Sequence, residues 1–293
     1  MTEQRQPRKK IGLALGGGGA KGLAHIGVIK VLEQAKIPID FIAGTSSGAV
    51  VGGWYAATKN IEFLENIFLK IEPQHLLSKA EVQKLKSGAI FKGKNFDQML
   101  ERIMGTRTFE QCAIPFCAVA TDVETGREVD IKDGSIVEGV KASIALPIIF
   151  QPIRIGEQLL IDGGFCNPVP ADVVREMGAD FVIAIDVASR WVNIPENLDH
   201  LVTPQNMEEF IRYAFSSVEY QLSRKVLEQA NIVLKPEVLS FGLLEFSRAK
   251  EIIEVGAKET KQNLGEIRSK AGYSKSEPKE LKEKILEIFN GNI

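Results

Sequence analysis

Ile11-Gly12-Leu13-Ala14-Leu15-Gly16-Gly17-Gly18-Gly19-Ala20-Lys21-Gly22 is the stretch on which the reading of this chain turns. Its apolar start running into glycine reads as a buried strand that ends in a tight turn. From Ala20 to Gln34, Leu23, Ile26, Val28, Val31 and Leu32 recur at helical spacing. Ile39 to Ala43 is a second short strand, and Ser46 to Thr58 a helix rich in small residues. Strand, helix, strand, helix in this order implies parallel pairing, since parallel neighbours need a helical crossover. The expected fold class is α/β, with a largely parallel central sheet and helices on both faces.

Further along, Ile61 to Ile71 continues as an amphipathic helix, and residues 72–95 lose all clear patterning. A helix resumes near Phe96 to Met104. Ile114 to Thr121 and Arg127 to Ile131 read as strands joined by a turn at Glu124-Thr125-Gly126. Ile136 to Ala145 is a helix stopped by Pro147, and two strands, Pro152 to Ile155 and Gln158 to Ile161, flank the turn Gly156-Glu157. Val169 to Met177 is helical and Phe181 to Asp186 a fully apolar strand. A long helix (Met207 to Gln229), a strand (Ile232 to Leu234) and a last helix (Ser247 to Lys270) follow. The expected organisation is a flexible N-terminus over residues 1–10, one domain over 11–270 and a charged, weakly packed tail over 271–293.

Composition narrows the function classes. The 293 residues are 44% hydrophobic and 25% charged with a formal net charge of −2, which argues against a nucleic-acid binder. Met1 to Lys10 is polar and basic, without the apolar stretch of a secretory signal. The best candidate span, Ala49 to Ala57, is far shorter than the roughly 18 apolar residues a bilayer needs. Three cysteines, Cys112, Cys117 and Cys166, form no tight pair and point to a reducing compartment. The expected location is cytoplasmic, with room for peripheral contact at the inner membrane face.

Residues 17 to 22 fit three readings. One is a plain tight turn. Another is a dinucleotide loop, which needs an acidic residue closing the second strand, whereas Asp40 opens that strand. The third is an oxyanion hole built from exposed backbone N–H groups at a strand-to-helix junction. A Walker loop fails because Lys21 is followed by Gly22. Gly44-Thr45-Ser46-Ser47-Gly48 follows a strand and precedes a helix, the setting that presents a serine hydroxyl on a strained turn. The competing role for Ser46 is an ordinary helix cap.

A nucleophilic serine needs a base. Asp162 ends a strand and is followed by Gly163-Gly164, which lets the backbone turn away and expose the carboxylate; an Asp-Gly turn is the plainer alternative. His25 lies in the first helix, His75 in the unpatterned stretch, and His200 alone follows Asp162, so a Ser46-Asp162-His200 triad is conceivable. Asp97, Asp122, Glu124 and Asp130 show no ligand spacing, and no metal or cofactor is expected.

With Gly-Gly-Gly-x-Lys-Gly, Gly-x-Ser-x-Gly and Asp-Gly-Gly in this order, the chain resembles the patatin-like phospholipase family. It is most similar to the bacterial branch near the neuropathy target esterase catalytic domain. Ala142-Ser143-Ile144-Ala145-Leu146-Pro147 and Asn167-Pro168-Val169-Pro170 add to the resemblance, which covers most of residues 10 to 265. It implies a three-layer patatin-like fold, a Ser-Asp dyad without histidine and hydrolysis of fatty-acyl esters of phospholipids or lysophospholipids. Position by position, Ser46 becomes the nucleophile, Asp162 the base, and the amides of Gly17, Gly18 and Gly19 the oxyanion hole. The partner implied is a lipid ester. Residues 72–95, with Leu76, Leu77, Ile90 and Phe91 between lysines, are read either as a lid over an acyl groove or as a plain surface loop.

Overall fold

The computed structural model describes residues 8–70, 94–147, 149–188 and 207–273. An eight-stranded sheet forms its centre: β1 (Ile11–Leu15), β2 (Phe41–Thr45), β3 (Phe116–Asp122), β4 (Glu128–Ile131), β5 (Ile153–Ile155), β6 (Gln158–Asp162), β7 (Phe181–Ile185) and β8 (Ile232–Leu234). β3, β2, β1, β7 and β8 are neighbours in that order and all parallel. β4 and β6 pair antiparallel with β3, and β5 antiparallel with β6.

Eight α-helices accompany it among the described residues: α1 (Ala24–Gln34), α2 (Ser47–Thr58), α3 (Ile61–Lys70), α4 (Lys94–Met104), α5 (Ile136–Ser143), α6 (Ala171–Glu176), α7 (Met207–Val226) and α8 (Ala249–Ala271). The first reads shorter than expected from sequence because Gly19–Leu23 closes as a 3-10 turn before α1 begins. Alternation along β1 sorts the two faces. Leu13 and Leu15 pack with Ile26, Ile29, Val50 and Ile253 of α1, α2 and α8. Ala14 joins Ala43, Val119 and Ala184 beneath Val173 and Val174 of α6. Small residues on that second face let the short helix lie close. Both faces are covered, so the parallel strands are apolar throughout, as such strands must be.

The register of β3 decides where the chemistry sits. Ala118 and Val119 pair with β2 on one edge and with β4 on the other. Ala120 and Thr121 keep β4 and take β6 as their second partner, so β6 follows β2 along the same edge of β3. β2 runs parallel to β3 and β6 antiparallel, so the two meet head to head. Thr45 is opposite Val119, and Asp162 is opposite the next residue, Ala120. Parallel sheets present ligand sites at the carboxyl ends of their strands, and two strands reach such ends here from opposite directions.

Residues 8–10, expected within a flexible N-terminus, are held in place. The two terminal guanidinium nitrogens of Arg8 each donate to Asp40 at 2.6 Å, and the Lys10 amide donates to Asp180 at 2.8 Å. The expected tail lies outside the described residues beyond Tyr273. No helix among the described residues is long and apolar enough to cross a membrane.

Candidate active site

Ser46 stands between β2 and α2 with φ 54° and ψ −123°, a backbone conformation that L-residues rarely adopt. Holding a non-glycine residue there costs about 1–3 kcal/mol, which the surroundings must offset. They do so by close packing. A Cβ on Gly44 would stand 2.5 Å from the Gly48 carbonyl oxygen, and one on Gly48 would stand 2.0 Å from that of Leu15. Only glycines at both positions let the chain turn this sharply. A second brace comes from α5: Ser143 Oγ accepts from the Ser46 amide at 2.9 Å and donates to the Val119 carbonyl at 2.6 Å. In sequence Ser143 stands within Ala142–Pro147, and nothing local marks a role for its hydroxyl.

Asp162 is 2% exposed, its carboxylate accepts from the Gly164 amide at 2.8 Å, and it lines one cavity with Ser46. The two side chains singled out from sequence therefore face the same cavity. Burial pushes the Asp162 carboxyl up to about 6, with the nearby Ser46 hydroxyl and the Gly164 amide pulling the other way. At neutral pH it is mostly ionised, yet a stronger base than a solvated aspartate.

The glycine run divides. The Gly17 amide already donates to the Pro168 carbonyl at 3.0 Å, which corrects the expectation that all three amides face outward as free donors. Gly17 matters by its lack of a side chain, since a Cβ there would stand 3.2 Å from Ser46 Cβ. The amides of Gly18 and Gly19 have no acceptor among the described residues, and both glycines line a cavity with Ser46 and Asp162. Ser47 opens α2, so its amide is among the first-turn donors that a helix leaves unpaired.

His25 is fully buried in α1 and its Nε2 lies 2.8 Å from the Gly16 carbonyl, so that nitrogen carries the proton. Burial pushes its pKa down to about 4 and keeps the ring neutral. It braces the glycine run from beneath and does not reach Ser46. Asp40 lies at the far end of β2, where it accepts from Arg8 and the Ile11 amide. That position turns it away from the glycine run and removes the ribose-binding role a nucleotide loop would require. His75, His200 and nearly all of the stretch expected as a lid lie outside the described residues.

Ser46 lines two cavities. The narrower, of about 80 Å3, is walled by Val50, Phe68, Phe96, Ile144 and Phe150. The wider, of about 390 Å3, is walled by Asp162, Lys21, Tyr213, Phe215, Glu219 and Phe241. One is almost wholly apolar; the other mixes aromatic rings with charge. The acidic side chain of Glu219 in this wall was not singled out from sequence, because nothing in the local pattern of α7 separates it from the neighbouring glutamates.

The chain has recognisable relatives among known proteins. The chain is 31% identical over 274 residues to the mouse (Mus musculus) patatin-like phospholipase domain-containing protein 6, covering 84% of this chain and 20% of that protein. It is 31% identical over 220 residues to an NTE family protein of Mycobacterium tuberculosis, covering 75% and 61% respectively. Lysophospholipase NTE1 of Coccidioides immitis is 29% identical over 297 residues, 94% of this chain and 19% of that protein. The chain thus spans about a fifth of the mouse and fungal relatives. Among solved structures, VipD from Legionella pneumophila shares the fold, with a TM-score of 0.54 at 14% identity over 91% of this chain and 72% of its own. Residues 13–175 match the model of the patatin-like phospholipases, and with that match over more than half its length the chain belongs to this family.

Proposed function

We propose that this chain is a serine acyl hydrolase that cleaves fatty-acyl esters of phospholipids or lysophospholipids through a Ser46-Asp162 dyad. The observation that carries the reading is Ser46, held on a strained turn and opening into the same cavity as the buried carboxylate of Asp162. In the first half-reaction Ser46 Oγ attacks the ester carbonyl carbon while its proton passes to Asp162. The oxyanion forms against the amides of Gly18 and Gly19, whose removal from such a role costs about 3 kcal/mol in comparable sites. Collapse of the tetrahedral intermediate breaks the ester C–O bond, and Asp162 returns the proton to the departing alcohol. Asp162 then takes a proton from water as it attacks the acyl-serine, and passes it to Ser46 Oγ as the acyl C–O bond breaks and the fatty acid leaves.

The cavities fit the two parts of such a substrate. The narrow apolar cavity suits an acyl chain, and the wider cavity, with Lys21 in its wall, suits a polar or anionic alcohol portion. A pH dependence follows. kcat/KM rises as Asp162 loses its proton near pH 6, which sets the acidic side of the profile.

Fatty-acid release from a small panel of lipid esters, measured beside Ser46→Ala, tests the reading. Turnover by the wild-type chain and a loss of at least about 10^4-fold in the variant are expected. A fluorophosphonate probe should label the wild type at Ser46. Comparable turnover by both proteins would overturn the assignment of Ser46.

A further inference from the structure

The wider cavity holds a second buried acid that the reaction above does not use. Glu219, on α7, is 6% exposed and faces the wall formed by Gly17 and Gly164. Its Oε1 lies 3.8 Å from the point where a Cβ on Gly17 would stand and 2.9 Å from the corresponding point on Gly164. Ser46 Cβ lies 3.2 Å from the first point, and Asp162 Oδ1 lies 3.2 Å from the second. The Glu219 carboxyl is therefore packed against two glycines that themselves touch the nucleophile and the base. Any side chain on Gly164 would collide with it, so the Asp-Gly-Gly turn leaves room for two carboxyls.

We propose that Glu219 is a positioning residue of this site, a carboxyl that must keep its proton while Ser46 attacks, because its ionised form would set a second negative charge beside Asp162 and the forming oxyanion. The inference rests on the reading of Ser46 and Asp162 as the reacting pair.

Two carboxyls enclosed together do not ionise together, since the first charge opposes the second. Asp162 has the lower proton affinity of the two and ionises first. Burial pushes Glu219 up to about 8, the Asp162 charge adds to this, Lys21 opposes it, and Asp186 contributes in the same sense as Asp162. These groups reach it from the end of β6, the glycine turn and the end of β7. Between the two ionisations Asp162 is charged and Glu219 neutral, and that single state is the one competent for acyl transfer. Above it, the charge of Glu219 opposes the oxyanion that Gly18 and Gly19 are placed to stabilise.

The experiment is a profile of kcat/KM on a soluble monoacyl ester from about pH 5 to about pH 10, for the wild type and Glu219→Gln. The wild type should rise near pH 6 and fall again near pH 8. Glutamine cannot ionise, so the variant keeps the acidic limb and loses the alkaline one. Its activity near pH 9.5, relative to its own maximum, should exceed the wild-type ratio by at least about tenfold. Should Glu219→Gln fail to fold, Glu219→Met, apolar and of similar length, answers the same question. An alkaline limb that stays near pH 8 in whichever variant folds overturns the proposal, as does a wild-type profile with no such limb. Labelling of Ser46 by a fluorophosphonate is followed in parallel. Labelled Ser46 with an unaltered alkaline limb refutes the role of Glu219 alone, whereas unlabelled Ser46 refutes the dyad beneath it.

Discussion

The two ends of the parallel sheet are built on opposite plans. At the amino ends, polar groups find partners. The Ile11 amide donates to Asp40, the Lys10 amide to Asp180 and the Val182 amide to Asn231, each at 2.8 Å, and Arg8 neutralises Asp40. At the carboxyl ends the polar groups are left poised. Ser46 is strained, Gly18 and Gly19 have open amides among the described residues, and Asp162 and Glu219 are buried acids with raised proton affinities. A strained turn, open amides and two buried acids gathered at one end mark where free energy has been withheld from folding. The lesson is that stability and reactivity occupy different ends of the same strands.

Asp162→Asn sharpens this contrast most. Asparagine keeps the shape but cannot accept the serine proton, and kcat should fall by about 10^3 to 10^4-fold, as when an orienting acid is lost elsewhere. Stability should move the other way. The Asp162 carboxyl sits at 3.8 when free and at about 6 when folded, so between those values the folded state binds more protons and stability declines as pH rises. Above pH 6 the full penalty is present, and the variant escapes it. Chemical denaturation at about pH 7.5 should find it more stable, by a figure on the order of 2 kcal/mol. A variant less stable than the wild type at that pH would break the contrast.

Ser143→Ala probes the brace between the two plans. It leaves the Ser46 amide and the Val119 carbonyl without their shared hydroxyl, at a cost of about 1–3 kcal/mol. Loss of control over the Ser46 turn should lower kcat by roughly tenfold with little change in KM, read from steady-state kinetics on one ester. Arg8→Ala tests the quiet end. The Arg8 side chain is 51% exposed, so its pair with Asp40 should be worth less than about 1 kcal/mol. Its kcat/KM should match the wild type, and a marked fall in rate would show that the two ends are coupled.

Much of this was legible in the residues because it is local. The apolar runs ending in glycine located β1 and β2, and the elbow motif placed Ser46 between a strand and a helix. Asp162 was found because two glycines follow it at a strand end. What escaped reading depends on partners far along the chain. Nothing near Gly17 announces that its amide belongs to Pro168. Nothing near Ser143 announces that its hydroxyl clips the serine turn to β3. Glu219 is one acid among several on a long helix until the fold turns it against Gly164. The same holds for β6, whose hairpin was recognisable while its place beyond β2 on a shared edge was not.

That shared edge has a consequence for how the molecule can vary. The gap between Ser46 and Asp162 is gauged by neighbouring peptides of β3, so it inherits the stiffness of a hydrogen-bonded ladder and owes nothing to the loops between them. Lengthening a connection elsewhere leaves that gauge untouched, whereas slipping β6 by a single residue would present Ile161 or Gly163 in place of the acid. Tolerance to insertion and intolerance to slippage are thus two faces of one backbone ruler.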